Sequence, residues 1–364
     1  MPPAPRPIPN PPEIAAGRRR AAFVFVMVIL ALALVVVAGV VALNSYADPY
    51  GALGTEILPT LTASDRTAKA DAIEALAQGP ELVLLGSSRA MRYDPGLVAE
   101  KSGLRTFNAA VNGVGGTADM WAMTQFLNDV WPDTNPDYIW LLDVEAFVPV
   151  TIEARTADEP RLARYVGVPI ASRGVREMAR AVYANRGSML SLATAKDSFR
   201  LAFSRDEAEK REVEYRKTIG PDGAMADRKW TEKEWKRRYP ESVARYTEVH
   251  SVVYRAGLDA AAKAYFERTL AFMKAEGATP IIVLTPMHPD LMATVAPLGW
   301  TDRHREVVAY LASLRDTYSL TVLDLCNEEV FGGDPRQWYD GVHPTAVNTR
   351  RAMLYILDQV EGQP

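Results

Sequence analysis

Residues Ala21 to Leu43 run for 23 positions without a charge or a proline. No other stretch restricts the chain so strongly, because a segment this long and apolar leaves water as one helix. At about 1.5 Å per residue it reaches roughly 35 Å, enough to cross the hydrocarbon core of a bilayer. Arg18, Arg19 and Arg20 precede it and Asp48 follows it, which predicts a cytoplasmic N-terminus and an extracytoplasmic, periplasmic body. A cleaved secretory signal carries an apolar region of only about 7–15 residues. The stretch therefore reads as an uncleaved signal-anchor, a single-pass transmembrane helix over residues 21–43 in the cell membrane. Seven of the first twelve residues are proline, so residues 1–20 read as a disordered cytoplasmic tail.

The formal net charge of −4 is unevenly distributed. Four arginines against Glu13 give residues 1–20 a charge of +3, leaving −7 on the remainder. A mildly acidic body carries no electrostatic footprint for nucleic acid, and none is expected as a partner. One cysteine, Cys326, excludes an intrachain disulfide. It closes the apolar run LTVLDLC and reads as a buried small hydrophobe.

After a linker and leading helix (residues 44–79, with helical spacing from Ser64 to Ala77), strands and helices alternate. ELVLLG, LRTFN (Leu104–Asn108), DYIWLLD (Asp137–Asp143), PIIVLTP (Pro280–Pro286) and LTVLDL (Leu320–Leu325) read as strands. Pro95–Ser102, Ala118–Val130, Ala256–Glu276, Asp302–Tyr318 and Ala346–Val360 read as helices. This rhythm predicts an α/β domain with a parallel sheet over residues 80–364. It is interrupted by a charge-rich helical insertion at residues 150–255, read as solvated amphipathic helix capping the sheet.

Leu82 to Leu85 form an unbroken apolar run into Gly86, Ser87, Ser88 and Arg89. Such a run suits a strand buried on both faces, and a parallel sheet keeps its ligands at the carboxyl ends of its strands. Ser88 is the candidate nucleophile at that edge, and a serine nucleophile needs a base. The chain has four histidines. His250 and His304 lie in charged helical surroundings and read as surface residues, while His288 follows a strand in PMHP. His343 in DGVHPT has Asp340 three residues before it. That spacing lets the carboxylate accept the Nδ1–H bond and leaves Nε2 free to face the serine. A polar turn capping the last helix accounts for the same residues without chemistry.

GSSR, FNAAVNG and DGVHP, in this order, resemble the SGNH (GDSL-like) hydrolase family, and more closely its membrane-anchored extracytoplasmic branch. The resemblance covers residues 80–145 and 278–360. It implies a flavodoxin-like three-layer parallel sheet of the SGNH type, with Ser88 as nucleophile, His343 as general base and Asp340 orienting it. Its second block, matched by Asn108, Ala109 and Gly113, implies an oxyanion hole formed by the backbone N–H groups of Ser88 and Gly113. It also implies a serine esterase or O-acyltransferase acting on an ester of the cell envelope through an acyl-serine. The acceptor would be water or a surface polysaccharide, and a transferase would draw its acyl groups from a membrane-bound donor protein. No cofactor and no metal are expected.

The chain departs from the family's third block, where WLLDVEAF offers Asp143 and Glu145 in place of an asparagine. An ionised carboxylate accepts hydrogen bonds and donates none, so the third oxyanion donor is absent or supplied by Asn112. This departure supports a second expectation, a catalytically inactive binding or assembly subunit of an envelope polysaccharide system. Asp143 and Glu145 are expected to diverge, which argues against glycoside hydrolysis. Arg89, His288, Trp338 and Tyr339 are the candidate substrate-binding residues: Arg89 for an anionic group or a carboxylate pair, Trp338 and Tyr339 for a sugar ring or for core packing.

Overall fold

The computed structural model describes residues 11–49, 53, 57–58, 65–113, 116–148, 159–166, 182–183, 186–203, 210, 213–227, 231–254 and 257–361. In chain order its elements are α1 (Pro11–Ala47), α2 (Asp65–Glu74), β1 (Leu82–Gly86), α3 (Pro95–Ser102), β2 (Thr106–Asn108), α4 (Thr117–Val130), β3 (Asp137–Leu142), α5 (Pro160–Val166), α6 (Arg186–Met189), α7 (Leu192–Phe203), α8 (Glu232–Val253), α9 (Ala260–Ala275), β4 (Ile281–Leu284), α10 (Pro289–Val295), α11 (Trp300–Tyr318), β5 (Thr321–Asp324) and α12 (Ala346–Glu361). The chain divides into two units, residues 1–61 with 174–208, and residues 62–173 with 209–364. The stretch read as one insertion, residues 150–255, is therefore shared between them.

In the first unit, Arg19–Ala47 of α1 is long and apolar enough to cross a membrane. The helix starts at Pro11, so residues 11–20 correct the expected disordered tail, and residues 1–10 lie outside the described residues. Pro11 and Pro12 are tolerated there because the first N–H groups of a helix have no partner inside it. At the other end, Asn44 is buried and donates to the carbonyls of Met189 (2.9 Å) and Ser191 (3.2 Å). Ser198 on α7 returns a bond to the Asn44 Oδ1 at 2.9 Å.

The second unit is built on a five-stranded, all-parallel sheet in the order β2-β1-β3-β4-β5. β1 sits inside the sheet, paired to β2 and β3, and is buried along its length. Alternate side chains leave a strand on opposite faces. Val83 and Leu85 join the cluster formed with Trp121 and Phe126 of α4 and Phe266 of α9, whereas Leu82 and Leu84 join Leu97 of α3 and Met353 and Ile356 of α12. Each such apolar side chain contributes roughly 1.5–3 kcal/mol when fully buried. Helices cover both faces, so the functional groups are left to the strand ends.

Gly86 closes β1 at φ 152°. A Cβ there would stand 2.6 Å from both the Ala90 Cβ and the Leu141 carbonyl oxygen. The glycine thus lets the chain leave the strand pressed against β3. Gly86→Ala is expected to destabilise the second unit by about 1–3 kcal/mol, read as a lower midpoint in urea unfolding.

Lys69 of α2 is fully buried and donates to the Asn108 carbonyl (2.6 Å), the Asn108 Oδ1 (3.3 Å) and the Gly223 carbonyl. Burial pushes its pKa down from 10.5 to about 7, with Asp65 and Asp222 opposing. Between those two values the unfolded chain binds more protons than the folded one, so stability rises with pH across that window. The penalty is fully present below the lower value. The urea midpoint is expected to rise from pH 7 to pH 9 (~2 pH units inside the window), and Lys69→Met is expected to flatten that rise.

Candidate functional site

Three strand ends and two loops meet at the carboxyl edge of the sheet. The turn after β1 is closed by the Ala90 N–H on the Ser87 carbonyl (2.9 Å), and the Val111 N–H donates to the Gly86 carbonyl (3.0 Å). Ser88 stands half-buried on that turn, and its Oγ lies 2.8 Å from the His343 Nε2. The His343 Nδ1 lies 2.8 Å from one Asp340 carboxylate oxygen and 3.0 Å from the other. The same carboxylate accepts from the backbone N–H groups of Val342 (2.9 Å) and His343 (2.8 Å). Burial opposes its ionisation, yet His343 and these bonds hold the Asp340 carboxyl below the usual range. An ionised Asp340 fixes the Nδ1–H tautomer and leaves Nε2 to accept the Ser88 proton. The Asp340–His343 turn is itself pinned by the Tyr339 N–H on the His343 carbonyl (2.9 Å) and the His288 N–H on the Gly341 carbonyl (3.0 Å).

The second loop is held by two buried clamps. Asn108 donates from Nδ2 to the carbonyls of Ala90 (3.0 Å) and Tyr93 (2.9 Å), tying β2 to the turn that carries Ser88. Arg66 forks onto Asp119 at 2.6 and 3.2 Å, pairs with Asp65 at 3.1 Å and donates to the Asn112 carbonyl at 2.8 Å. The Asn112 N–H donates to the Asp65 carboxylate, so only the Asn112 side chain remains as the extra oxyanion donor expected of it. Among the described residues, the backbone N–H groups of Ser88 and Gly113 have no acceptor. Residues 114–115 of the glycine-rich loop lie outside the described residues.

Arg89 and the third-block carboxylates form one buried network. The guanidinium lies 3.6 Å from the Asp143 Oδ1, 3.0 Å from the Glu145 Oε2 and 3.4 Å from the Thr285 hydroxyl. Thr285 donates to the Asp143 Oδ1 at 2.6 Å, and Tyr254 donates to the Glu145 Oε1 at 2.6 Å. Burial opposes the charge on Arg89, but Asp143 and Glu145 hold it protonated well above its ordinary value. Burial opposes the charge on Glu145 as well, while Arg89, His250 and Tyr254 keep its carboxyl below the usual range. The expected divergence of Asp143 and Glu145 is overturned. β3 ends at Leu142, the chain then turns, with the Ala146 N–H on the Asp143 carbonyl at 2.9 Å, and both carboxylates converge on Arg89. Arg89 is buried, with its charge spent inside the protein, and does not face an external anion.

The charge-rich middle supplies what sequence reasoning missed. α8 opens with a capping box from Thr231 to Glu234 and presents Trp235, Tyr239, Tyr246 and His250 along one stripe. Trp235 donates from Nε1 to the Trp338 carbonyl at 2.8 Å. The Tyr246 ring meets His343 edge-on with centroids 6.2 Å apart. His250, expected on the surface, is buried with Nδ1 3.4 Å from the Glu145 Oε1. Burial pushes this imidazole below its ordinary value, with Glu145 working the other way. The recurrence of aromatic residues and histidine at positions 235, 239, 246 and 250 is the only sequence signal of this face.

His288, Trp338 and Tyr339 are brought to this edge but occupied. His288 caps α10: its Nδ1 accepts from the Asp290 N–H (3.0 Å) and meets the Tyr239 hydroxyl, and its Nε2 donates to the Pro335 carbonyl (2.9 Å). With both nitrogens bonded and burial lowering its pKa, it is a neutral structural histidine. Trp338 is 1% exposed, with Nε1 on Glu328 at 2.7 Å. Tyr339 is buried, its hydroxyl on Asp227 and its face against Arg92 at 4.9 Å. Stacking of either ring on a sugar is thereby corrected to packing, because indole and phenol both found partners inside the fold. Both residues still line an open cavity of about 640 Å³, together with half-buried Trp235 and exposed Lys236 and Arg336.

His304, Asp324 and Cys326 bring three potential metal-ligand atoms within 4.8 Å of one another. The His304 Nε2 already bonds Asp324 at 2.7 Å, and burial raises the Cys326 thiol well above its ordinary value. A thiol binds metal as its thiolate, so burial of Cys326 works against such a site.

No protein-family model matches the chain, and no curated protein matches it.

Removing Arg89 would leave two buried carboxylates without their cation. Arg89→Met is expected to cost about 3–5 kcal/mol of stability, and Arg89→Met with Glu145→Gln distinctly less. Chemical denaturation of the two variants checks the ordering.

Proposed function

We propose that the second unit catalyses acyl transfer through an acyl-serine, with Ser88 as nucleophile, His343 as general base and Asp340 orienting the imidazole. The observation that carries this reading is the continuous bond series Ser88 Oγ, His343 Nε2, His343 Nδ1, Asp340, at 2.8 Å for each link. Nucleophile, base and orienting acid within hydrogen-bond reach are the geometric requirement for this chemistry. Strand order 2-1-3-4-5, with the site at the carboxyl edge, supports a flavodoxin-like sheet of the SGNH type.

In the first half-reaction the Ser88 oxygen attacks an ester carbonyl while His343 takes its proton. The tetrahedral oxyanion is held by the Ser88 and Gly113 amides, and its collapse breaks the ester bond. His343 returns the proton to the departing alcohol, leaving acyl-Ser88. In the second half-reaction an acceptor hydroxyl gives its proton to His343 and attacks the acyl group; collapse of this second tetrahedral intermediate breaks the acyl–Ser88 bond, and His343 returns the proton to the Ser88 oxygen. Water as acceptor makes the protein an esterase, and a polysaccharide hydroxyl makes it an O-acyltransferase fed by a membrane-bound acyl donor. The cavity beside Trp235, Lys236 and Arg336 is of a size that suits a glycan segment. The apolar part of α1, with Arg18–Arg20 at its N-terminal end, favours an anchor with the body on the extracytoplasmic side.

A second reading, an inactive binding or assembly subunit, is favoured by one observation: the side chains of Asp143 and Glu145, at the third-block position, have no N–H to donate and are paired with Arg89. Losing one oxyanion donor typically costs about 2.7–4 kcal/mol of transition-state stabilisation.

A fluorophosphonate probe separates the two. The wild-type protein is expected to be labelled at Ser88, located by mass spectrometry, and Ser88→Ala to remain unlabelled. Asp340→Asn is expected to slow labelling by on the order of 10⁴-fold through the wrong tautomer. A folded wild-type protein that stays unlabelled selects the inactive reading. Product analysis with and without a polysaccharide acceptor then distinguishes transferase from esterase.

A further inference from the structure

In the first unit α7 is two-sided. Thr194, Ser198 and Leu201 are buried, Ser198 against Asn44 and Leu201 against Ala47 at the end of α1. The opposite side exposes Leu192 at 74%, Phe199 at 58% and Phe203 at 75%. At 100° per residue these three fall within one narrow sector of the helix, with Lys196 and Arg200 along its flank. The Phe199 and Phe203 rings lie 4.5 Å apart, so the sector is a continuous aromatic surface. Leu190, in the turn before α7, is exposed as well.

An apolar face of this kind costs free energy in water and calls for an occupant. Its place on the chain says which. Asn44 is the first polar residue after the apolar run that ends at Leu43, and its side chain ties α6 and α7 to α1. Where α1 spans a bilayer, position 44 lies at the boundary between hydrocarbon and headgroups. Tyr46, two residues on, is exposed as an aromatic residue of that boundary would be. Helix α7 is therefore held at headgroup depth by buried hydrogen bonds. A helix with leucine and phenylalanine on one sector and lysine and arginine beside it suits that layer: rings enter the acyl boundary and cations reach lipid phosphates.

We infer that α7 is a membrane-surface helix whose Leu192, Phe199 and Phe203 insert into the outer interface of the bilayer that α1 crosses. The inference rests on α1 as a membrane anchor and is independent of the chemistry at Ser88. It gives the protein a second attachment, which fixes the tilt and rotation of the anchor as a single apolar helix does not.

Electron paramagnetic resonance of the full-length chain tests it, in vesicles of phosphatidylethanolamine and phosphatidylglycerol. Single nitroxides are placed by Leu192→Cys, Phe199→Cys, Phe203→Cys and, as the reference inside the anchor, Leu34→Cys, all in a Cys326→Ala background. The expected result is that all four labels are reached by oxygen and shielded from a water-soluble nickel complex, position 34 most deeply. Labels on α7 that the nickel complex reaches freely, with position 34 shielded, overturn the inference and leave the anchor standing. Labels on α7 shielded from both reagents mean that protein covers the face, and overturn it too. A water-exposed label at position 34 removes the anchor and the inference together. Three separate α7 positions keep the answer readable if one substitution disturbs the helix.

Discussion

The charge on Arg89 sets the terms for the whole candidate site. A guanidinium cannot give up its proton in a protein, and one sealed under the sheet edge must be met by carboxylates or the fold fails. Asp143 and Glu145 meet it from the segment after β3, Thr285 joins from the segment after β4, and Tyr254 and His250 close the network from α8 and its end. One buried cation, on the residue that follows Ser88, thus ties the end of β1 to the ends of β3 and β4 and to the covering helix. Once that network forms, the serine has little freedom left. His343 then meets the serine with Asp340 behind it, and the Tyr246 ring packs against the imidazole.

The second loop is governed by the same economy of buried charge. Lys69 and the Arg66–Asp119 pair give α2 no exposed role; they hold Asn108 and Asn112 by their backbones. Taking such groups out of water is costly, and their bonds offset that cost only in one geometry. A loop fixed in this way can hold the Gly113 amide in place without a side chain of its own. In the first unit a neutral group works similarly, Asn44 linking the apolar helix to α6 and α7.

Much of the scaffold was legible because the sheet is buried on both faces. Leu82–Leu85 read as a two-sided strand and are one, and all five strands fall where apolar runs predicted them. Pro95–Ser102 was legible to the residue, since Asp94, Pro95 and Gly103 are local signals of a start and a stop. The residues placed at chemistry by their neighbours, Ser88, Asp340 and His343, do meet. Those assigned to substrate by type alone fared differently. Arg89, His288, Trp338 and Tyr339 were singled out for a group that could reach a ligand, and each spends that group inside the fold. Nothing in a one-dimensional pattern says whether a guanidinium or an indole will find an internal partner. The role of α8 was hidden for a related reason: a helix dense in Glu, Lys and Arg looks solvated all round, although one stripe of it is not.

The sequence by itself determined the alternation of elements, the apolar helix, the glycine exit from β1 and the Asp340–His343 turn, because each depends on residues within a few positions of one another. Tertiary structure alone decided which polar groups are spent and which remain. Ser88 reaches His343 across 255 positions, Arg89 reaches Glu145, and α8 closes over both. Such pairings depend on the order in which strands enter the sheet and on how much water the packing leaves. A buried donor takes whichever acceptor that geometry supplies, and the chain's linear order does not contain it.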